Sequence, residues 1–209
     1  LTHIIFTRHG ETIWHKENRY AGSSDIALSP QGYRDAELLA DWASTARLDA
    51  LWVSPLLRAQ KTAGPVARVT GLEPRIDARL REVSFGQAEG RTIAELEQIF
   101  PEILKAFLAD PAAHPFPEGE DLHVAAERAL SCFYEIAEMY PDGRILIVAH
   151  SSLLRIALCQ MIGVPIGQYR SIFPFVHNCS LTEIKITNGR ASLLMYNAPI
   201  SPRSGGTTE

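Results

Sequence analysis

Cysteine is scarce in this chain. Cys132, Cys159 and Cys179 are the only three, far apart in sequence and each set among apolar neighbours. That excludes a disulfide-stapled scaffold and predicts free core thiols in a reducing compartment. Long apolar runs are lacking too, and the polar stretch in THIIFTRHGE arrives before a secretory signal has room to form. The expectation is a soluble cytoplasmic protein with no membrane partner. Positive charge is not in excess: 20 Lys and Arg stand against 24 Asp and Glu, a formal net charge of -4. This argues against a nucleic-acid partner while leaving room for a small basic pocket. No internal repeat is visible. What is present is 209 residues, 46% of them hydrophobic, the length of one ordinary domain, which buries roughly 70% of its extended surface without staples.

Patterning predicts alternating strands and helices. Ile4-Ile5-Phe6 is a covered strand that ends abruptly at Thr7-Arg8-His9-Gly10. After a polar loop, Ser29 and Pro30 have the chemistry of an N-cap and first helical position, with Gly32 tolerated before the apolar face of Ala36, Leu39 and Ala43. Leu51-Trp52-Val53 predicts the second strand, and Ser54-Pro55 the start of the next helix. Pro101 interrupts helix-compatible pieces over 92–109, and PAAHPFPEGED predicts a lid or connector. A helix over 121–140 leads to Ile145-Leu146-Ile147-Val148-Ala149, the clearest buried strand, which ends at His150. Ser151-Ser152 caps the following helix. Strand alternation near 180–186 and 191–196, joined by Asn188-Gly189, predicts a hairpin.

His9 and His150 therefore share a position: each follows a strand and precedes a helix. Such positions gather distant residues at one sheet edge, where helix amides and their positive potential suit phosphate. Arg8 adjoins His9, and Arg58 follows the second strand. Two imidazoles and two guanidiniums suit an anion, the rigid guanidinium fork being matched to phosphoryl oxygens. Taken singly, each of these residues, and Glu82 with them, has an ordinary structural role. Their combination with motifs decides the matter.

The opening TRHGETIWHKENRYAGSSDIALSPQG is followed, in order, by VSPLLRAQKTA, REVSFGQAEG, FPEGE and VAHSSLLR. Over nearly its whole length the chain resembles the histidine phosphatase superfamily, in its phosphoglycerate-mutase-like branch. The resemblance implies an α/β fold, a three-layer α/β/α sandwich with a central, mostly parallel sheet and a small lid over the site. It implies a single domain over 1–200, lid elements at approximately 83–120, and a flexible tail at 201–209. His9 would be the nucleophile that becomes phosphohistidine, while Arg8, Arg58 and His150 would hold the phosphoryl group. Glu82 would be the proton-transfer carboxylate. Thr12 and Gly22 would contribute to substrate binding, and Glu11, Glu89 and Glu120 to loop organisation or substrate contacts. Neither a metal nor a cofactor is implied, and a homodimer is compatible. Two positions depart from the pattern. His15 stands where many relatives carry Asn, and Ser151 where Gly is usual; each has a substrate-binding role or a structural one, as loop support and helix cap respectively.

The function expected is a metal-independent phosphomonoesterase acting on a small phosphorylated metabolite through a covalent phosphohistidine. A cofactor-dependent phosphoglycerate mutase is the first alternative. The stretch between Gly90 and His150 lacks the longer basic insertion of that class, which favours hydrolysis. A non-catalytic phosphate-binding or interaction protein is the second alternative, opposed by the joint presence of Glu82 and both histidines.

Overall fold

The computed structural model describes residues 1–200. The tail expected at 201–209 lies outside the described residues. Six strands form one sheet: β1 (Thr2–Arg8), β2 (Ala50–Val53), β3 (Pro74–Ile76), β4 (Arg144–Ala149), β5 (Leu181–Thr187) and β6 (Arg190–Ala198), in spatial order β3-β2-β4-β1-β5-β6. The first four in that order run parallel, and β5 and β6 add antiparallel to the edge of β1.

Strand side chains alternate between faces, and the central strands are apolar on both. Ile5, Leu51, Val53, Leu146 and Val148 pack against α1 (Pro30–Ala43) and α2 (Leu57–Thr70). Ile4, Phe6, Trp52, Ile145 and Ile147 join the opposite core, with α5 (Leu122–Met139) and α6 (Ser151–Ile162). The three-layer α/β/α sandwich expected from the sequence is the architecture found. Cys132, Cys159 and Cys179 are all free and buried, as their apolar settings predict.

Local chemistry explains most element boundaries. Ser29 Oγ accepts the Gly32 amide at 3.1 Å and Pro30 opens α1. The second helix starts at Leu57 rather than at Ser54-Pro55, because Leu56 stays extended and the Leu57 amide donates to Asp25 Oδ1 at 2.7 Å. Pro101 divides 92–109 into α3 (Ile93–Ile99) and α4 (Pro101–Ala109). Asn188 and Gly189 both adopt positive φ, 50° and 72°, as a two-residue hairpin turn demands.

Gly32 is more than tolerated. A Cβ there would strike the carbonyl of Glu11, and one on Gly10 would strike the carbonyl of Gly32. The first turn of α1 thus lies backbone to backbone against the loop that leaves β1, which fixes that loop below the site.

Residues 83–120 hold α3, α4 and intervening turns around an aromatic cluster. Phe107 and Phe116 have ring centroids 4.3 Å apart, and Tyr20 meets Phe85 at 5.1 Å. A short helix α7 (Tyr169–Ile172) completes the chain before β5.

Candidate active site

β1 and β4 are adjacent and parallel, so their carboxyl ends set His9 and His150 side by side, ring centroids 5.2 Å apart. The two residues are 4% and 0% exposed. His9 Nδ1 lies 2.7 Å from the carbonyl oxygen of Gly10, which only accepts, so Nδ1 carries the proton. Nε2 keeps its lone pair and faces Arg58 Nε at 3.2 Å. Burial, reinforced by the charge of Arg58 and by His150 and Arg8, holds the His9 pKa well below the ordinary imidazole value. His9 is a neutral imidazole at neutral pH with its nucleophilic nitrogen toward a guanidinium.

Arg58 is aimed by backbone carbonyls. Nη1 donates to Ser24 at 2.7 Å, and Nη2 to Ala21 and Gly22 at 2.8 Å each. Gly22 therefore belongs to the frame around Arg58, where a Cβ would collide with the backbones of Val83 and Phe85; it does not line the cavity. Glu89 likewise organises the loop, accepting from the amides of Ser23, Ser24 and Phe85.

Arg8 donates from Nη1 to the Val176 carbonyl at 2.7 Å, its Nη2 meets His15 Nε2, and its Nε is buried without a partner. Burial lowers Arg8 to about 10, with the Glu82 charge opposing, so it stays cationic at neutral pH. His15 Nδ1 accepts the Thr12 backbone N–H at 2.9 Å and lies 2.7 Å from Thr12 Oγ1, while its Nε2 faces Arg8 Nη2. Burial and the Arg8 charge keep His15 neutral, lowering it to about 4. His15 thus lies against Arg8 while also lining the cavity with Thr12 and Ser151.

Ser54 Oγ, at the carboxyl end of β2, accepts the Leu56 amide at 3.3 Å and lies 2.6 Å from His150 Nε2. Its hydroxyl hydrogen is then free to go to Nε2. Burial and the charges of Arg58 and Arg8 keep His150 neutral, and its Nδ1 is buried without a partner; with the Ser54 hydroxyl donating to Nε2, the ring proton is on Nδ1. That makes Nδ1 a ready donor to an anion. Ser54→Ala is expected to release this tautomer and lower kcat about tenfold, the cost of ~1.4 kcal/mol in one oriented hydrogen bond. Steady-state kinetics on a slow ester checks it, and an unchanged kcat would count against the proton placement.

Glu82 is 6% exposed. Its Oε1 accepts the amides of Val83 and Leu153 at 2.9 Å each, and Oε2 accepts that of Ser152 at 3.1 Å. Helix N-terminal amides were expected to serve phosphate; at α6 the Ser152 and Leu153 amides hold Glu82 instead. Oε2, with one amide against two on Oε1, is the oxygen with spare capacity. Glu120 is committed elsewhere, to Arg81 and Arg128.

A cavity of about 420 Å³ has Arg8, His9, Thr12, His15, Arg58, Glu82 and Ser151 on its wall, with His150 buried behind His9. Arg19, Arg155 and Arg170 line it as well. A protein of net charge -4 therefore concentrates five guanidiniums around a single carboxylate. Among the described residues, no group of three His, Cys, Asp or Glu side chains is arranged to hold a metal ion, and no helix is long and apolar enough to cross a membrane.

The model of the histidine phosphatase superfamily (branch 1) matches residues 4–199. The chain belongs to that family. It is 28% identical to phosphoserine phosphatase 1 of Hydrogenobacter thermophilus over 93% of this chain and 91% of that one. It is 30% identical to a Yersinia pestis protein named "Probable phosphoglycerate mutase GpmB", over 87% and 83% of the two chains. Among solved structures, Bacillus stearothermophilus YhfR superposes with a TM-score of 0.90 at 28% identity, covering 96% of this chain and all of that one. A mycobacterial glucosyl-3-phosphoglycerate phosphatase in complex with VO3 gives 0.86 at 27% identity, covering 94% and 99%. The protein is an enzyme of the histidine acid phosphatase and phosphoglycerate-mutase-like superfamily, a hydrolase working by that family's phosphohistidine chemistry.

Within this histidine phosphatase the structure adds residues that the sequence did not single out. Asn178 Nδ2 donates to the His9 carbonyl at 2.8 Å. Arg155 donates to the carbonyls of Ser151, Phe173 and Pro174. Ser54 was within reach of sequence reasoning, since it ends a strand as His9 and His150 do. Arg170 and Asn178 come from the irregular stretch between α6 and β5, where no periodicity or motif marks them.

Proposed function

We propose that this histidine phosphatase hydrolyses small phosphomonoesters, with His9 Nε2 as nucleophile. The observation that carries the assignment is the fixed tautomer of His9 beside Arg58, His150 and Arg8. Attack forms the Nε2–P bond as the P–O ester bond breaks, and Glu82 gives its proton to the departing alkoxide. A phosphoryl oxygen takes over Arg58 Nε, which frees the Nε2 lone pair. Arg8, Arg58 and His150 Nδ1 hold the equatorial oxygens as charge spreads over them. Water then attacks phosphorus, Glu82 takes its proton, the N–P bond breaks, and inorganic phosphate leaves. Thr12, His15 and Ser151 shape the wall around the ester, and residues 83–120 act as the lid, presenting Phe85 and Ile93 to the cavity. Three reduced, buried thiols suit a cytoplasmic setting.

Of residues 91–149, Ile93 alone lines the cavity, and none of the basic side chains of that stretch does. This supports transfer to water over return to a retained sugar acid. A metal-free screen of phosphorylated metabolites, following both phosphate release and positional transfer, is expected to give phosphate release. Efficient interconversion of 2- and 3-phosphoglycerate with little phosphate released would make the protein a mutase instead.

A further inference from the structure

We propose that Arg170, with the hydroxyls of Tyr20 and Tyr169, forms a second anion subsite, so that the preferred phosphomonoester bears a further negatively charged group. The inference rests on the phosphomonoesterase reading above and deepens it. Of the five cavity guanidiniums, Arg8 and Arg58 belong to the reacting phosphoryl group. Arg19 is neutralised, paired with Glu17 and, at 2.9 Å, with Glu95. Arg155 is turned to backbone carbonyls and stacks on Tyr169, 4.8 Å from its ring centre. Arg170 differs from all of these. It is carried to the cavity wall by α7, and no carboxylate of the described residues pairs with it. Its guanidinium lies 5.8 Å from the ring centre of Phe107, and the Tyr20 and Tyr169 side chains flank it closely enough to feel its charge.

The phenols supply the second observation. Tyr169 is 0% exposed and stands behind the cavity wall that Tyr20 lines; the hydroxyl oxygens of both are buried and have Arg170 as their neighbouring donor, with no acceptor for either hydroxyl hydrogen. Both have a donor proton to give, and a buried hydroxyl hydrogen without an acceptor is unfavourable. A guanidinium that no carboxylate neutralises, backed by two phenols whose hydroxyl hydrogens have no acceptor, is a set made of donors only, on a partly apolar platform. Carboxylate and phosphate oxygens accept from such a set and balance its charge; a neutral hydroxyl accepts but leaves the charge unbalanced, and an ammonium does neither. An anchor on α7 orients a single substrate with its phosphoryl group at His9.

The test compares kcat/KM for 3-phosphoglycerate, which adds a carboxylate, and fructose 1,6-bisphosphate, which adds a phosphate, with that for glycerol 3-phosphate, which adds neither. The wild-type enzyme is expected to favour at least one of the charged esters over glycerol 3-phosphate by tenfold or more, and the better of the two identifies the second anion. Arg170→Gln is expected to reduce that preference ratio at least tenfold, mainly through KM, and Tyr20→Phe to reduce it about threefold. A wild-type preference for the neutral ester, or a ratio unchanged in both variants, overturns the subsite. Failure of the underlying reading looks different: no ester would be hydrolysed, or hydrolysis would survive loss of His9.

Discussion

Replacing His9 by alanine is expected to reduce phosphomonoester hydrolysis by about 10⁴-fold or more, the scale on which loss of a covalent nucleophile is felt. The pocket is otherwise kept. Arg58 remains tied to the carbonyls of Ser24, Ala21 and Gly22, Arg8 to that of Val176, and Glu82 to three amides. The variant is therefore expected to bind vanadate or phosphate while failing to turn over. Rapid mixing of the wild type with labelled substrate, followed by denaturation at alkaline pH where an N–P bond survives, is expected to trap label on His9. Label on another residue, or undiminished turnover by the variant, would sink the covalent scheme. The pH dependence follows from the same burial. Because His9 and His150 have pKa values held well below 6.5, both stay neutral as pH drops through 6.5, and the nucleophile is not lost there. Folding stability responds the other way. The unfolded chain takes up protons at these histidines near pH 6.5 and the folded chain does not, so stability is full above that pH and declines as pH falls below it.

Much of this arrangement was legible before the fold was known, and the boundary between what was and was not has a physical cause. Residues set by local rules were found: His9, His150 and Arg8 because they end or adjoin apolar strands, Ser29 and Pro30 because capping is a matter of a few consecutive residues, Asn188-Gly189 because a tight turn requires positive φ. Motif order brought in Arg58 and Glu82. What escaped depends on contacts between segments far apart in sequence. Gly32 looked merely permitted in a helix, and only the approach of the Glu11 backbone makes a side chain there impossible. Gly22 lies in a loop of the right motif, and only the fold shows that its carbonyl serves Arg58 and that a Cβ on it would strike the Val83 and Phe85 backbone. The α6 amides were assigned to phosphate by a general rule about helix N-termini. A buried carboxylate arriving from another loop satisfied the same rule first. Arg170 carried no signal at all until α7 turned it into the cavity.

Glu82→Gln is expected to separate the two half-reactions. For an alkyl phosphate, whose alkoxide leaves poorly without a proton, turnover should fall by about 10²–10⁴-fold. For p-nitrophenyl phosphate the leaving group departs without help, so the first half-reaction should persist while water activation in the second is lost. The expected signature is a burst of one nitrophenolate per active site followed by a slow steady state. The substitution also has a structural effect. Gln keeps Oε1 as acceptor for Val83 and Leu153, but its amide nitrogen in the Oε2 position would face the Ser152 amide, donor against donor. That costs about 1–3 kcal/mol of stability, which thermal unfolding measures separately, and phosphate affinity shows whether the pocket is still assembled. Equal losses on alkyl and nitrophenyl esters, with no burst, would remove Glu82 from proton transfer and leave it as the cap of α6. An unequal loss with a burst requires the proton to move through Glu82, since Glu120, already engaged by Arg81 and Arg128, is not free to replace it.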